Sequence, residues 1–270
     1  MNLTKINHRL IILILVGVSL VLSFILFWVL YQKRNSEVPI ATFSELNTIA
    51  QSLEKNGKIS DAIDAYKKTE LISSNQIEMV QSQINGATLM FKRNVGNDRE
   101  TAVHIFKNII TNENNLPIYR VQAIGFLLNS LDATRDEYFA LNVIFKGEPF
   151  QGFAVEGDVW LAERRMYEWS NQIYPSPLTA LRVADWYRRK PQESTIESLE
   201  RDLYIEKLKE WTAIGENLMH NMKAEKYSVS KQAYAFMLLG IERGGVAKYG
   251  DKNFEASEAA FREAQKLTST

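Results

Sequence analysis

The stretch from Leu10 to Leu30 carries no charged residue and nothing more polar than Gly17, Ser19 and Ser23. Wound as a helix at about 1.5 Å per residue, it spans roughly 31 Å, close to the ~30 Å hydrocarbon core of a bilayer. Basic residues bracket it, Lys5 and Arg9 before and Lys33 and Arg34 after, while Trp28 and Tyr31 stand where an interfacial aromatic belt would lie. The chain is therefore read as a short tail (1–9), a transmembrane helix (10–31), a juxtamembrane linker (32–41) and a helical remainder.

A cleaved secretory signal is the competing reading of the same run. Such signals have an apolar stretch of about 7–15 residues and a small-x-small cleavage site. This run is longer, and it is followed by Tyr31, Gln32, Lys33, Arg34 and Asn35, none of which suits a cleavage pocket. Length and flanks favour an uncleaved single-pass anchor. Each flank carries two basic residues, so the orientation rests on the N-terminal amine, which adds a third positive charge to a short tail. The expected topology is N-terminus inside and the bulk of the chain exoplasmic. The absence of cysteine is compatible with an oxidising compartment.

Charge narrows the choice of partners. With Lys5, Arg9, Lys33 and Arg34 set aside, 28 basic residues remain against 32 acidic ones, all of them beyond position 36, which leaves the remainder at about −4. A mildly acidic domain lacks the basic face that nucleic-acid binding requires, and it has no electrostatic hold on anionic lipid beyond the anchor itself.

From Thr42 onward, apolar residues recur at intervals of three and four, and no stretch alternates for long as a strand does. The spacing predicts helices over 42–55, 59–72, 76–93, 98–111, 117–131, 135–145, 157–173, 177–189, 195–222, 229–246 and 254–267. Local signals punctuate them: Asn56-Gly57 is a turn pair, Asp98 caps a helical run, Pro117 opens a helix, and Ser176-Pro177 reads as a cap followed by a first-turn proline. The longest break is Lys146 to Asp158, with Gly147, Pro149, Gly152 and Gly157. Either it is one long inter-repeat loop (146–157) or it divides the array into segments 42–145 and 158–270.

Helices of this length joined by short turns call for a search for repeats. Leu46, Ile49, Ala50 and Leu53 share one helical face; Gly57 turns the chain; Ala62, Tyr66 and Thr69 form the facing stripe. Ala102, Phe106 and Ile109 repeat that second stripe, Trp211, Ile214, Gly215 and Leu218 repeat the first, and Leu239-Gly240 followed by Phe254, Ser257, Phe261 and Ala264 reproduces a whole repeat. These offsets resemble the tetratricopeptide repeat. The resemblance implies an all-α solenoid of antiparallel hairpins whose concave face holds peptides or proteins. Chaperone-tail adaptors of that family grip a carboxylate with a Lys and an Asn four residues apart; the matching positions here are Asn47 and Gln51, so no such grip is implied. The long helix 195–222 is expected to stand outside strict pairing or to belong to an irregular repeat.

Nothing in the chain is arranged for catalysis. His8, His104 and His220 stand apart without carboxylates in a ligand pattern, and Gly244-Gly245 with Gly250 lacks the Lys-Ser/Thr of a phosphate loop. Glu193, Glu197, Glu200 and Asp202, with Arg201, Lys207 and Lys209 nearby, read as a solvated helix face. No enzyme activity, metal or cofactor is expected.

One constellation suits a binding surface. In helix 157–173, Val159, Ala162, Met166, Trp169 and Ile173 make one face and Trp160, Arg164, Tyr167 and Asn171 a second, while the next helix offers Arg182, Trp186 and Arg189. Aromatic and arginine side chains dominate interface hot spots. The alternative is that the arginine stems simply cover buried rings. The expected function is a membrane-tethered interaction module for a protein or peptide. A structural subunit of a larger membrane complex and a solute- or lipid-binding sensor are the alternatives.

Overall fold

The computed structural model describes residues 42–134, 136–189, 198–224, 227–250 and 252–269. The predicted tail, membrane helix 10–31 and linker lie outside them, and no helix among the described residues is long and apolar enough to cross a bilayer.

Every regular element among the described residues is helical. The helices are α1 (Phe43–Lys55), α2 (Ile59–Ile72), α3 (Gln76–Arg93), α4 (Asp98–Thr111), α5 (Pro117–Thr134), α6 (Glu137–Phe139), α7 (Val159–Ile173), α8 (Pro177–Arg189), α9 (Ser198–Leu218), α10 (Asn221–Ala224), α11 (Val229–Tyr249) and α12 (Glu255–Thr268). Helix ends shift by one to three residues at several places, as where α5 runs on to Thr134 and α11 to Tyr249, and three stretches differ in kind. The helix expected over 135–145 is the short α6 continued by a π-helical turn, Ala140–Ile144. The break after α6 contains a 3-10 helix, Phe150–Ala154. The helix expected over 195–222 is two, because the amide of Met219 turns back to the Glu216 carbonyl at 3.0 Å and closes α9 with a tight final turn.

Local chemistry sets most ends. Thr42 and Glu45 form a reciprocal capping box at α1: the Glu45 amide donates to Thr42 Oγ1 at 3.3 Å and the Thr42 amide to Glu45 Oε2 at 2.8 Å. Asn75 caps α3 by accepting from the Glu78 amide at 3.0 Å, and Asp158 caps α7 by accepting from Trp160 and Leu161 at 2.8 and 3.2 Å. Ser176 and Thr179 exchange amide-to-hydroxyl bonds ahead of α8 at 3.0 and 3.2 Å. Gly57 turns the chain from α1 to α2 at φ 74°, a conformation that costs glycine nothing.

Packing follows chain order: α2 lies on α3, α3 on α4, α4 on α5, α5 on α7, α7 on α8, α8 on α9, α9 on α11 and α11 on α12. This is a packed all-α arrangement of repeat-like plan. The recurring stripe is its inner lining: Ala62, Tyr66 and Thr69 on α2 and Ala102, Phe106 and Ile109 on α4 are all buried. Alanine at Ala62, wholly buried as is Ala50, lets backbones approach, and each large apolar side chain removed from water contributes about 1.5–3 kcal/mol. Departing from simple succession, α8 also meets α11. Far from standing aside, α9 lies along α8 so closely that a Cβ on Gly215 would come within 2.7 Å of the Leu181 side chain.

The long break is pinned to its neighbours. Phe150 is buried, its ring 6.2 Å from that of Trp169, and Phe153 lies 5.3 Å from the same indole. Lys107 of α4 donates to the carbonyls of Val143 at 2.7 Å and Lys146 at 2.9 Å, and Arg165 of α7 donates to that of Phe153 at 3.1 Å. Burial, with Lys146 nearby, pulls the Lys107 ammonium down to about 8.

Candidate functional site

The residues singled out on α7 and α8 meet in a seam that α9 and α11 close. Trp186 and Tyr167 are buried within it. The Trp186 indole donates to the Trp160 carbonyl at 3.0 Å and packs edge-on to Tyr187 and to Tyr204 of α9, with centroids 5.2 and 5.9 Å apart. Arg164 lies over that aromatic group, 5.5 Å from the Trp186 ring, and pairs with Glu168 at 3.5 Å. Burial and the neighbouring Glu168, which accepts from its hydroxyl, push the Tyr187 phenol up to about 12.

Asn171 accepts from Thr179 Oγ1 at 2.9 Å, which fixes the α7–α8 turn. Arg182 donates to the Tyr234 hydroxyl at 2.6 Å, joining α8 to α11. Arg189 pairs with Glu163 at 3.1 Å and Asp185 at 3.2 Å and lies 5.4 Å from the Trp160 ring. Of the seven residues, Trp160, 40% exposed, presents the most apolar surface outward.

Periodicity did not reveal the acids that meet the arginines of α8. Glu163 is buried against Arg189, and Glu242 of α11, with no exposure at all, meets Arg188. Arg188 also pairs with Asp185. Burial pushes the Glu242 carboxyl up to about 8 even though Arg188 pulls the other way. Glu242 is the only acid of α11, set in the otherwise apolar context Leu238-Leu239-Gly240-Ile241, and that isolation was the signal available.

Two open clefts lie elsewhere among the described residues. The larger, about 380 Å³, runs between α9 and α12 over α11. Met219, Met222, Phe236 and Leu239 give it an apolar lining, Ala259 and Ala260 leave it room, and Glu216, Arg243 and Glu263 border it. Arg243 is held by Glu216 and by the Ala256 carbonyl. The smaller, about 180 Å³, lies between α3 and α5 over Phe106, with Phe91 and Phe126 as walls and Lys92 and Asn129 at its edge.

Among the described residues no three His, Asp or Glu side chains converge as a metal would need. No protein-family model, no curated protein and no solved structure matches this chain.

Proposed function

We propose that the chain is a single-pass membrane protein of tetratricopeptide-like plan whose helical array, on the exoplasmic side, holds a protein or peptide partner close to the bilayer. The run 10–31 is the anchor and the α9–α11–α12 cleft is the receiving surface. The cleft carries the reading. Its apolar lining suits the apolar face of an amphipathic segment, and the thioethers of Met219 and Met222 adapt to side chains of different shape. At its border Glu216 is paired with Arg243 and Glu263 with Lys266, so the charges there are balanced and the apolar lining carries the recognition. Among the described residues the most exposed apolar side chains, Leu71, Leu199 and Tyr138, sit on three different helices, which favours an occasional partner over burial in a permanent complex.

The test is a photoreactive residue at Phe236 in the full chain, in native membranes, with the same group at exposed Val95 as control. A protein cross-link from Phe236 alone, lost when Ala259→Trp fills the cleft while helicity is kept, supports the reading. Cross-links to lipid or small solutes only would favour a sensor, and equal labelling from Val95 would remove the cleft from the argument.

A further inference from the structure

The stripe that lines the array occurs a third time at α12, and there its aromatic is left open. Ala62-Tyr66-Thr69, Ala102-Phe106-Ile109 and Ser257-Phe261-Ala264 share one spacing, four residues and then three. Tyr66 is 2% exposed beneath α3, where a Cβ on Gly86 would sit 3.5 Å from its own Cβ. Phe106 is 1% exposed and stacked on Phe126 of α5, with centroids 5.9 Å apart. Phe261 rests its inner side on Gly240 of α11, where an added Cβ would meet the ring at 2.9 Å, yet it is 42% exposed. Phe254, the residue immediately before the helix, is exposed as well.

Charge on α12 indicates what covers this face. Glu255 and Glu258 lie in its first half, and Arg262 and Lys266 in its second, where Glu263 pairs with Lys266 at 2.5 Å. Two such helices laid antiparallel about a dyad beside Ala260 and Phe261 set Glu258 against Arg262 of the second copy, and Glu255 against Lys266 of the second copy, each twice. A parallel pairing in register would set like charge on like. We propose that the outer face of α12 is a self-association surface on which a second copy of this chain packs its own α12 antiparallel, with Phe261 and Phe254 of both copies closing the seam. Ala259, Ala260 and Glu263 line the cleft and Lys266 pairs with Glu263 at 2.5 Å, so the seam borders the cleft; the self-association rests on Phe261 and the order of charges, not on what the cleft holds.

The experiment is sedimentation of the full chain in detergent over a concentration series. The unaltered chain should dimerise. Glu258→Arg and Arg262→Glu should each raise the dissociation constant about tenfold, as attractive rim pairs become repulsive. An equimolar mixture of the two variants should regain the dimer, because each then meets its complement. Glu258 and Arg262 also pair within one helix at 3.1 Å, and mixing cannot restore that contact, so recovery reports the intermolecular one. Phe261→Ser should weaken the dimer without loss of helicity. A monomer at every concentration, a dimer indifferent to all three variants, or no recovery on mixing would overturn the proposal. A photoreactive residue at Gln265 in native membranes should label a second copy; labelling of another protein or of lipid instead would overturn it too.

Discussion

Arg188 of α8 reaches Glu242 of α11 with its Nε 3.2 Å from Oε2 of a carboxylate that has no contact with solvent. The pair ties two helices that are not successive in the chain, and it does so at the expense of desolvating an acid.

That expense makes stability depend on pH. Glu242 is raised from 4.5 to about 8 in the folded chain, so folding favours its protonated form. Its contribution is full below the unfolded value and is lost as pH rises towards 8, with a slope of up to about 1.4 kcal/mol per pH unit. Denaturant unfolding at pH 5, 6.5 and 8 should show the decline, and Glu242→Gln should flatten it. A flat profile in the unaltered chain would refute the assignment.

Tyr167 and Arg164 separate packing from recognition. With Tyr167 buried, Tyr167→Ala should lower stability by about 3–5 kcal/mol, whereas Arg164→Ala, which removes a contact over the Trp186 ring, should cost about 0.5–1 kcal/mol. Melting temperature and partner capture are measured on both. Capture that falls further than unfolding accounts for would give the α7–α8 face a binding role.

Ala62 tests the close approach within the first hairpin. Ala62→Leu overfills a position with no exposure and should cost about 1–3 kcal/mol, while Lys68→Leu on the outer face of the same helix should stay within about 0.5 kcal/mol. Thermal melts of the two variants side by side make the comparison.

The proposed topology is checked by protease added to intact cells or spheroplasts. The helical array should be digested and an N-terminal tag on the short basic tail should survive. Protection of the array until the membrane is opened would reverse the orientation.

Helices were legible wherever their ends are set by neighbouring residues. Asn56-Gly57 and Ser176-Pro177 carry their turn and cap chemistry within a few positions, and α2, α3, α4 and α8 begin and end where periodicity and punctuation place them. The stripes of α2 and α4 were legible for the same reason, since a spacing of four and three selects one face. Which face meets which neighbour was not. Tyr167 shares a helical face with Trp160 and Arg164 on paper, but the approach of neighbouring helices buries Tyr167 and leaves Trp160 at the edge. In the Gly- and Pro-marked break, Phe150 and Phe153 share one side of a single short 3-10 turn, too brief a pattern to announce their insertion beside Trp169. Glu242 looks like a surface acid until α8 brings Arg188 to it.

Neighbour-on-neighbour packing also sets an order of events during synthesis. Tyr66 meets Glu54 across 12 residues of chain, so the first turns of the array can consolidate while later helices are still being made. Arg188 must wait for Glu242, 54 residues further on. Until α11 emerges, Arg188 has only Asp185 of its own helix, and the flank of α8 that α11 covers stays open. A nascent chain halted between α8 and α11 is thus the stage most in need of protection, and lesions in α11 would be felt as failure to mature before they were felt as loss of binding.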